Sequence, residues 1–374
     1  MRSSLLQPMK GLRLIWKIFF FINVLFIFFL LLAYLSVYLD PSTFWWIAIF
    51  GLLYPISLIS NFIFVLFWLF IKKSNALFSG LVMVLGLFYF LDFFALHPFP
   101  QKAPENSVKI MSYNVRLFDL YNWKGNKETK QQIFDFLVRE NADIICFQEF
   151  YENKGEYGKT FKTTSTLVEI LDSKNHFEKY THKMTGDQYF GVATYTKYPI
   201  VNKGIVPFDE EETNACIYTD IKIDNDTIRV YNTHMGSIRF NADDYKYFGD
   251  ENTQFKPNVK GGENIFGRLK KAYKKRIIQA TKILDHSKTS PYKVLICGDF
   301  NDIPISYTYH QFEKLYKDAF LESGFGIGKT YIGKIPSYRI DYIWMDEAFQ
   351  SYEFKVHEEE LSDHRAISCF FNLK

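Results

Sequence analysis

Three apolar stretches, residues 14–39, 43–71 and 76–96, dictate what the first quarter of this 374-residue chain can become. The first is apolar apart from Lys17, the second has no charge, and the third carries only Asp92. Each reaches the roughly 20 residues that a helix needs to cross a bilayer. The first is too long for the apolar core of a signal peptide, and no small-residue cleavage site follows it. Pro55 divides the second stretch, which reads as a kinked span or as a re-entrant pair. A single kinked span is the simpler choice, so residues 1–97 are expected to form a transmembrane region of three helices, near 14–39, 43–71 and 76–96.

Basic residues set the orientation. Lys10, Arg13 and Lys17 precede or open the first helix, Lys72 and Lys73 lie between the second and third, and the loop Asp40-Pro41-Ser42 has none. The positive-inside rule then places the N-terminus in the cytoplasm and everything after residue 97 on the extracytoplasmic side of the cell (inner) membrane.

Composition divides at the same point. Of the 44 basic and 41 acidic residues, six and two fall before residue 98, so the remainder carries 38 against 39. A part of the chain so close to neutrality lacks the basic field that strong non-specific binding to polyanions requires. Cys146, Cys216, Cys297 and Cys369 each sit in or beside an apolar run, and none forms a CxxC or Cys/His spacing, so buried free thiols are expected. Nothing calls for a protein partner.

Residues 98–107 hold three prolines and no periodicity, the signature of a linker. From 108 to 374, short apolar runs alternate with helical patterns, an α/β arrangement. Strands are expected at 108–113, 144–147, 192–195, 216–223, 227–231, 294–297, 339–344 and 366–371, and helices at 127–140, 165–171 and 265–286. Residues 238–263 are polar, Gly-rich and aperiodic, an insertion expected to be a functional or disordered loop. The basic run 268–276 reads as the wet face of a helix.

Six apolar runs end in, or carry, polar residues of a similar kind: Asn114, Gln148-Glu149, Asn232-Thr233-His234, Asp299 with Asn301, Asp341, and Asp363-His364. Each alone fits a turn or a solvated strand end, but six such endings point to one shared pocket. Asp341 is the hardest to dismiss, because a carboxylate between Ile340, Tyr342 and Ile343 is costly to bury without a partner. The set offers oxygen ligands suited to Mg²⁺ or Mn²⁺, and carboxylate–histidine pairs for proton transfer. That combination suits attack of water on a phosphate ester.

In chain order, SYN at 112–114, QE at 148–149, NTH at 232–234, GDFN at 298–301, IDYI at 340–343 and SDH at 362–364 resemble the endonuclease/exonuclease/phosphatase superfamily, the DNase I-like metal-dependent phosphoesterases. The segment 191–200, ending in YPI, adds to the likeness. The chain thus looks like a membrane-anchored, bacterial-type member, with the family's catalytic domain over residues 108–374. The resemblance implies a DNase I-like four-layer α/β sandwich, preceded here by the three transmembrane helices. It implies that Glu149 binds a divalent metal (Mg²⁺, with Mn²⁺ an alternative), with Asn114 beside it and Asp363 as a second metal or proton-handling carboxylate. Asp299 would deprotonate the attacking water and Asn301 would hold water or phosphate. His364, oriented by Asp341, would contact the phosphate, and His234 would be the general acid. The expected activity is hydrolysis of a phosphodiester in nucleic acid or a phospholipid headgroup. A phosphomonoesterase and a non-catalytic scaffold on the same fold are the alternatives.

Overall fold

The computed structural model describes residues 7–99, 101–155, 161–208, 213–238, 259–333 and 338–373. It has two compact units, one helical over residues 7–92 and one α/β from residue 93 onward, with the exception of residues 305–307. Most of the insertion expected at 238–263 lies outside the described residues.

The helical unit consists of α1 (Gln7–Ser36), α2 (Pro41–Leu52), α3 (Tyr54–Ile71), α4 (Lys73–Leu85) and α5 (Leu87–Phe93). Leu14–Ser36 and Tyr54–Ile71 are each long and apolar enough to cross a membrane. Residues 43–71, expected as one kinked span, are two helices separated at Leu53. Pro55 is tolerated because it falls in the first turn of α3, where a missing N–H breaks no helical bond. At 12 residues, α2 is too short to cross on its own. The third stretch bends by 57° between α4 and α5, so the described helices supply two spans, or three if that bent pair counts as one. Gly86 marks the bend. A Cβ there would lie 1.9 Å from the Tyr34 hydroxyl, which donates to the carbonyl of Val82. Residues 95–96 extend out of the third stretch as a strand, not a helix.

Inside this unit the helices share a buried polar chain. Asn23 donates to Ser79 Oγ at 2.6 Å, Ser79 to Asn61 Oδ1 at 2.9 Å, and Trp68 Nε1 to Asn23 Oδ1 at 2.9 Å. Interhelical hydrogen bonds of this kind hold α1, α3 and α4 in register where apolar contacts alone discriminate poorly.

In chain order the α/β unit contains β1 (Ala95–Leu96), β2 (Val108–Asn114), α6 (Thr129–Glu140), β3 (Ile144–Asn153), α7 (Thr163–Ile170), β4 (Asn175–Met184) and β5 (Gln188–Thr196). Then come β6 (Ile200–Val206), β7 (Ala215–Ile223), β8 (Asp226–His234), α8 (Val259–Lys288), β9 (Lys293–Asp299) and α9 (Tyr307–Glu313). It closes with β10 (Lys317–Asp318), α10 (Ala319–Ser323), β11 (Phe325–Gly326), β12 (Asp341–Met345), β13 (Phe349–Val356) and β14 (Ile367–Leu373). Two six-stranded sheets form, ordered β10-β12-β9-β8-β7-β6 and β13-β14-β2-β3-β5-β4.

Side-chain alternation along the central strands stacks the layers. Ile110, Ile144, Cys146, Leu295, Cys297, Ile343 and Ile367 face one shared core between the sheets. Their neighbours Met111, Tyr113, Ile145 and Phe147 pack against Ile133, Phe136 and Leu137 of α6. On the other side, Val294 and Ile296 pack against Ala280 and Ile283 of α8. Strands buried on both faces read as unbroken apolar runs. The result is the expected four-layer α/β sandwich, and the four cysteines are buried and free.

All eight expected strands of this unit are present with shifted ends. Those without an expectation include β4, β6, β13 and β10, which are the four outer strands of the two sheets.

Candidate active site

The sheets bring the polar strand ends together because β2 and β3 run parallel, as do β8 and β9. Their C-terminal ends therefore lie on the same edge. Asn114 pairs in register with Gln148, and His234 with Asp299, while β12 enters antiparallel so that its first residue, Asp341, sits opposite Asp299. Two of the polar residues fasten this edge. Gln148 Nε2 donates across the sheets to Asn232 Oδ1 at 2.8 Å, and Asn232 Nδ2 donates to the carbonyls of Phe147 and Ala193.

Local backbone devices aim the rest. Glu149 lies where the β3–β5 register shifts, and its φ of +49° is the left-handed conformation of a residue turned out of the ladder by a bulge. Gly298 must be glycine, because its φ is +149° and a Cβ would lie 1.9 Å from the Thr233 carbonyl. Asn301, at φ +53°, closes a tight turn in which its N–H donates to Asp299 Oδ1 at 2.8 Å. The Asn301 side chain donates to the Met235 carbonyl at 3.0 Å. Ser362 Oγ donates to the Asn114 carbonyl at 2.8 Å and ties the last motif to the first.

At the centre is Asp299, 1% exposed. Asn114 Nδ2 donates to Asp299 Oδ2 at 3.1 Å and to Glu149 Oε1 at 3.3 Å. His234 Nε2 lies 3.6 Å from Asp299 Oδ2 and 3.9 Å from Glu149 Oε1. His364 Nδ1 is hydrogen-bonded to Asp341 Oδ2 at 2.9 Å, while its Nε2 lies 3.7 Å from Asp299 Oδ2, beyond hydrogen-bonding distance. Seven of the eight residues singled out as catalytic or metal-binding are thus linked side chain to side chain or held by a turn. The eighth, Asp363, joins through Arg116, whose Nε is 3.4 Å from Asp363 Oδ2 and whose backbone N–H donates to Asn114 Oδ1 at 3.1 Å.

Arg116 is a cation at the site that the motifs do not announce, since it stands alone in the loop after SYN. Its guanidinium lies 4.4 Å from the ring centre of Trp123, and residues 116 to 119 all have positive φ. Beside Glu149 and His234 a cleft of about 420 Å³ opens, with Tyr121, His182, Met184, Phe190 and Asn214 among its walls.

The charges are poised rather than neutralised. Burial pushes Asp299 up to about 6, against the pull of His364, and Asp341 adds to the rise. Burial would lower His364, but Asp341 and Asp299 outweigh it and hold the ring well above its usual value. Glu149, 35% exposed at the cleft, is raised first by the crowding of its carboxyl among protein atoms and then by the charge of Asp363. Buried carboxylates gathered this closely are short of a cation, and hard oxygen donors suit a divalent one. Asp299, Asp341 and His364 each offer a ligand atom within 4.8 Å of the others. However, Asp341 and His364 are bonded to each other and the ring favours its proton. A cation on this trio would have to displace that proton, and Glu149 Oε1, which accepts from Asn114 Nδ2, is a further oxygen donor at this edge.

Among curated proteins none matches the chain. Solved structures do. A structure described as endonuclease/exonuclease/phosphatase from Beutenbergia cavernae superposes with a TM-score of 0.52 at 16% identity, covering 71% of this chain and 72% of that one. A Bacteroides vulgatus protein of the same description gives 0.51 at 16%, covering 72% and 99%. The catalytic domain of human Nocturnin with bound sulfate anion gives 0.51 at 16%, covering 73% and 97%. Residues 16–93 match a family described only as a domain of unknown function. The Endonuclease/Exonuclease/phosphatase family is matched from residue 111 to residue 364, a stretch that contains every motif gathered at this edge, and the chain belongs to that family.

Proposed function

We propose that the protein is a membrane-anchored phosphoesterase that hydrolyses a phosphodiester, in nucleic acid or in a phospholipid headgroup, with a divalent cation. In this reading residues 1–97 are the anchor, 98–107 the linker and 108–374 the catalytic domain. The observation that carries it is the buried arrangement of Asp341, His364 and Asp299 beside Glu149 and Asn114. Asp299, with its carboxyl raised toward neutrality, takes the proton of the attacking water, a role best served by a pKa near the working pH. Asn301 closes the turn that fixes the Asp299 carboxylate. His364, protonated and oriented by Asp341, offers its Nε2 proton to a phosphate oxygen as negative charge grows there. His234, at the cleft side of the same carboxylates, returns a proton to the leaving oxygen. Glu149 and Asn114, with Asp363, would hold Mg²⁺ or Mn²⁺, which when bound supplies charge neutralisation at the phosphate.

The test is hydrolysis by the full-length protein of DNA, RNA, sphingomyelin, phosphoinositides and an aryl phosphodiester, with Mg²⁺ and with Asp299→Ala as blank. No cleavage above that blank on any of them would end the reading. Glu149→Gln should raise the Mg²⁺ concentration needed for half-maximal activity by about tenfold or more and lower the plateau. An unchanged Mg²⁺ dependence would remove Glu149 from the cation site.

With the bent pair α4–α5 counted as a third span, the basic residues put the catalytic domain outside the cytoplasm. A reporter fused after Lys374 that works only in the cytoplasm would reverse the side and the span count together.

A further inference from the structure

Helices α1 and α3 run antiparallel. The contacts progress from Trp16 and Phe19 against Phe67, through Asn23 against Trp68, to Phe26 against Asn61 and Phe64. The start of one apolar span and the end of the other therefore share one end of the bundle, where Lys17 and Lys72 stand. Between them lies a cavity of about 460 Å³. Trp16, Phe20, Trp68 and Ile71 form its apolar side, and Lys17, Lys72 and Asn75 its polar side. Trp68 cannot simply turn away to close it, since its indole N–H is fixed on Asn23.

Neither lysine has an ionic partner among the described residues. The acids of the first 97 residues are only Asp40 and Asp92. Asp40 caps α2, beyond the opposite end of α1, and Asp92 lies in α5. Lysines at the ends of spans commonly reach into the headgroup layer with nothing between them. Here they flank a cavity within the size range of ligand sites, floored by aromatic rings.

We propose that this cavity binds one anionic phospholipid, its phosphate on Lys17, Lys72 and the Asn75 amide, and its upper acyl chain along Trp16, Phe20 and Ile71. The apolar wall favours a lipid over a free anion, because inorganic phosphate would leave those rings uncovered. Basic pockets between spans recognise headgroups in this way, each lysine contributing on the order of a fivefold change in binding. The inference rests on the membrane reading of the helices and is independent of any hydrolysis.

Full-length protein in detergent is offered equal amounts of phosphatidylglycerol and phosphatidylcholine, and retained lipid is counted by native mass spectrometry. One phosphatidylglycerol should be held in preference. Lys17→Gln and Lys72→Gln should each weaken its retention by about fivefold, while Lys73→Gln, which removes the same charge next to the cavity but not in it, should leave retention unchanged. Equal retention of both lipids would overturn the proposal. So would an equal effect of all three substitutions, which would indicate only diffuse attraction, or displacement of the lipid by inorganic phosphate, which would indicate a simple anion site.

Discussion

Asp299→Asn is expected to lower kcat/KM by about 10³-fold and to leave the fold no less stable. The first effect follows from the position of the carboxylate, bonded by Asn114 and by the Asn301 N–H and within 4 Å of both site histidines. An amide keeps the shape and one acceptor but cannot take a proton, and removing a positioned proton acceptor costs about 10²–10⁴. The second effect follows from the sign of its shift. Burial and Asp341 move this carboxyl from 3.8 to about 6. Between those values the folded state binds more protons than the unfolded one, so stability falls as pH rises through that window and remains reduced above it. Asn carries no charge to bury and so escapes this loss at neutral pH, although it cannot reproduce every bond. Thermal unfolding at pH 7 in chelator checks this: the variant should melt at or above the parent temperature. Activity lost together with a lower melting temperature would show that Asp299 holds the fold rather than the reaction.

The central layers of the sandwich were legible because strands covered on both faces need apolar side chains at nearly every position. Residues 144–147 and 294–297 are such runs, and both lie in the middle of their sheets. The outer strands were not legible for the complementary reason. Asn175–Met184 is half-covered at best along its length, so its side chains are mixed and no run stands out. The site was legible as six endings of similar chemistry, yet their division of labour was not. Gln148, Asn232, Glu149 and His234 are all polar strand ends, and only the structure shows that the two amides join the sheets while a bulge in the antiparallel β3–β5 pairing turns Glu149 out of the ladder. In the helical unit, apolar length marked helices long enough to cross a membrane, but not the breaks at Leu53 and Gly86. The chain that links Asn23, Asn61 and Ser79 carries no charge and so does not stand out within apolar runs, although it ties three helices.

Asp341 and His364 are expected to fail as one unit. The ring nitrogen facing Asp341 is 2.9 Å from Oδ2 and 3.2 Å from Oδ1, and both residues are buried. A carboxylate on Nδ1 fixes the tautomer and leaves Nε2 free, the nitrogen that meets the phosphate in the proposed reaction. It also provides the largest upward push on a ring that burial alone would lower. In Asp341→Asn that push disappears and the lowering by burial remains. The imidazole of His364, followed by NMR, should then lose its proton at a lower pH than in the parent, with kcat/KM down by about 10²–10³ while Mg²⁺ dependence is kept. His364→Ala should cost a similar factor. Because the first loss acts through the second residue, the double variant should fall within a few-fold of the worse single one, as for other groups that act together. If instead the two losses multiply, or if His364 titrates unchanged in Asp341→Asn, the Asp341 carboxylate is not what holds and charges the ring.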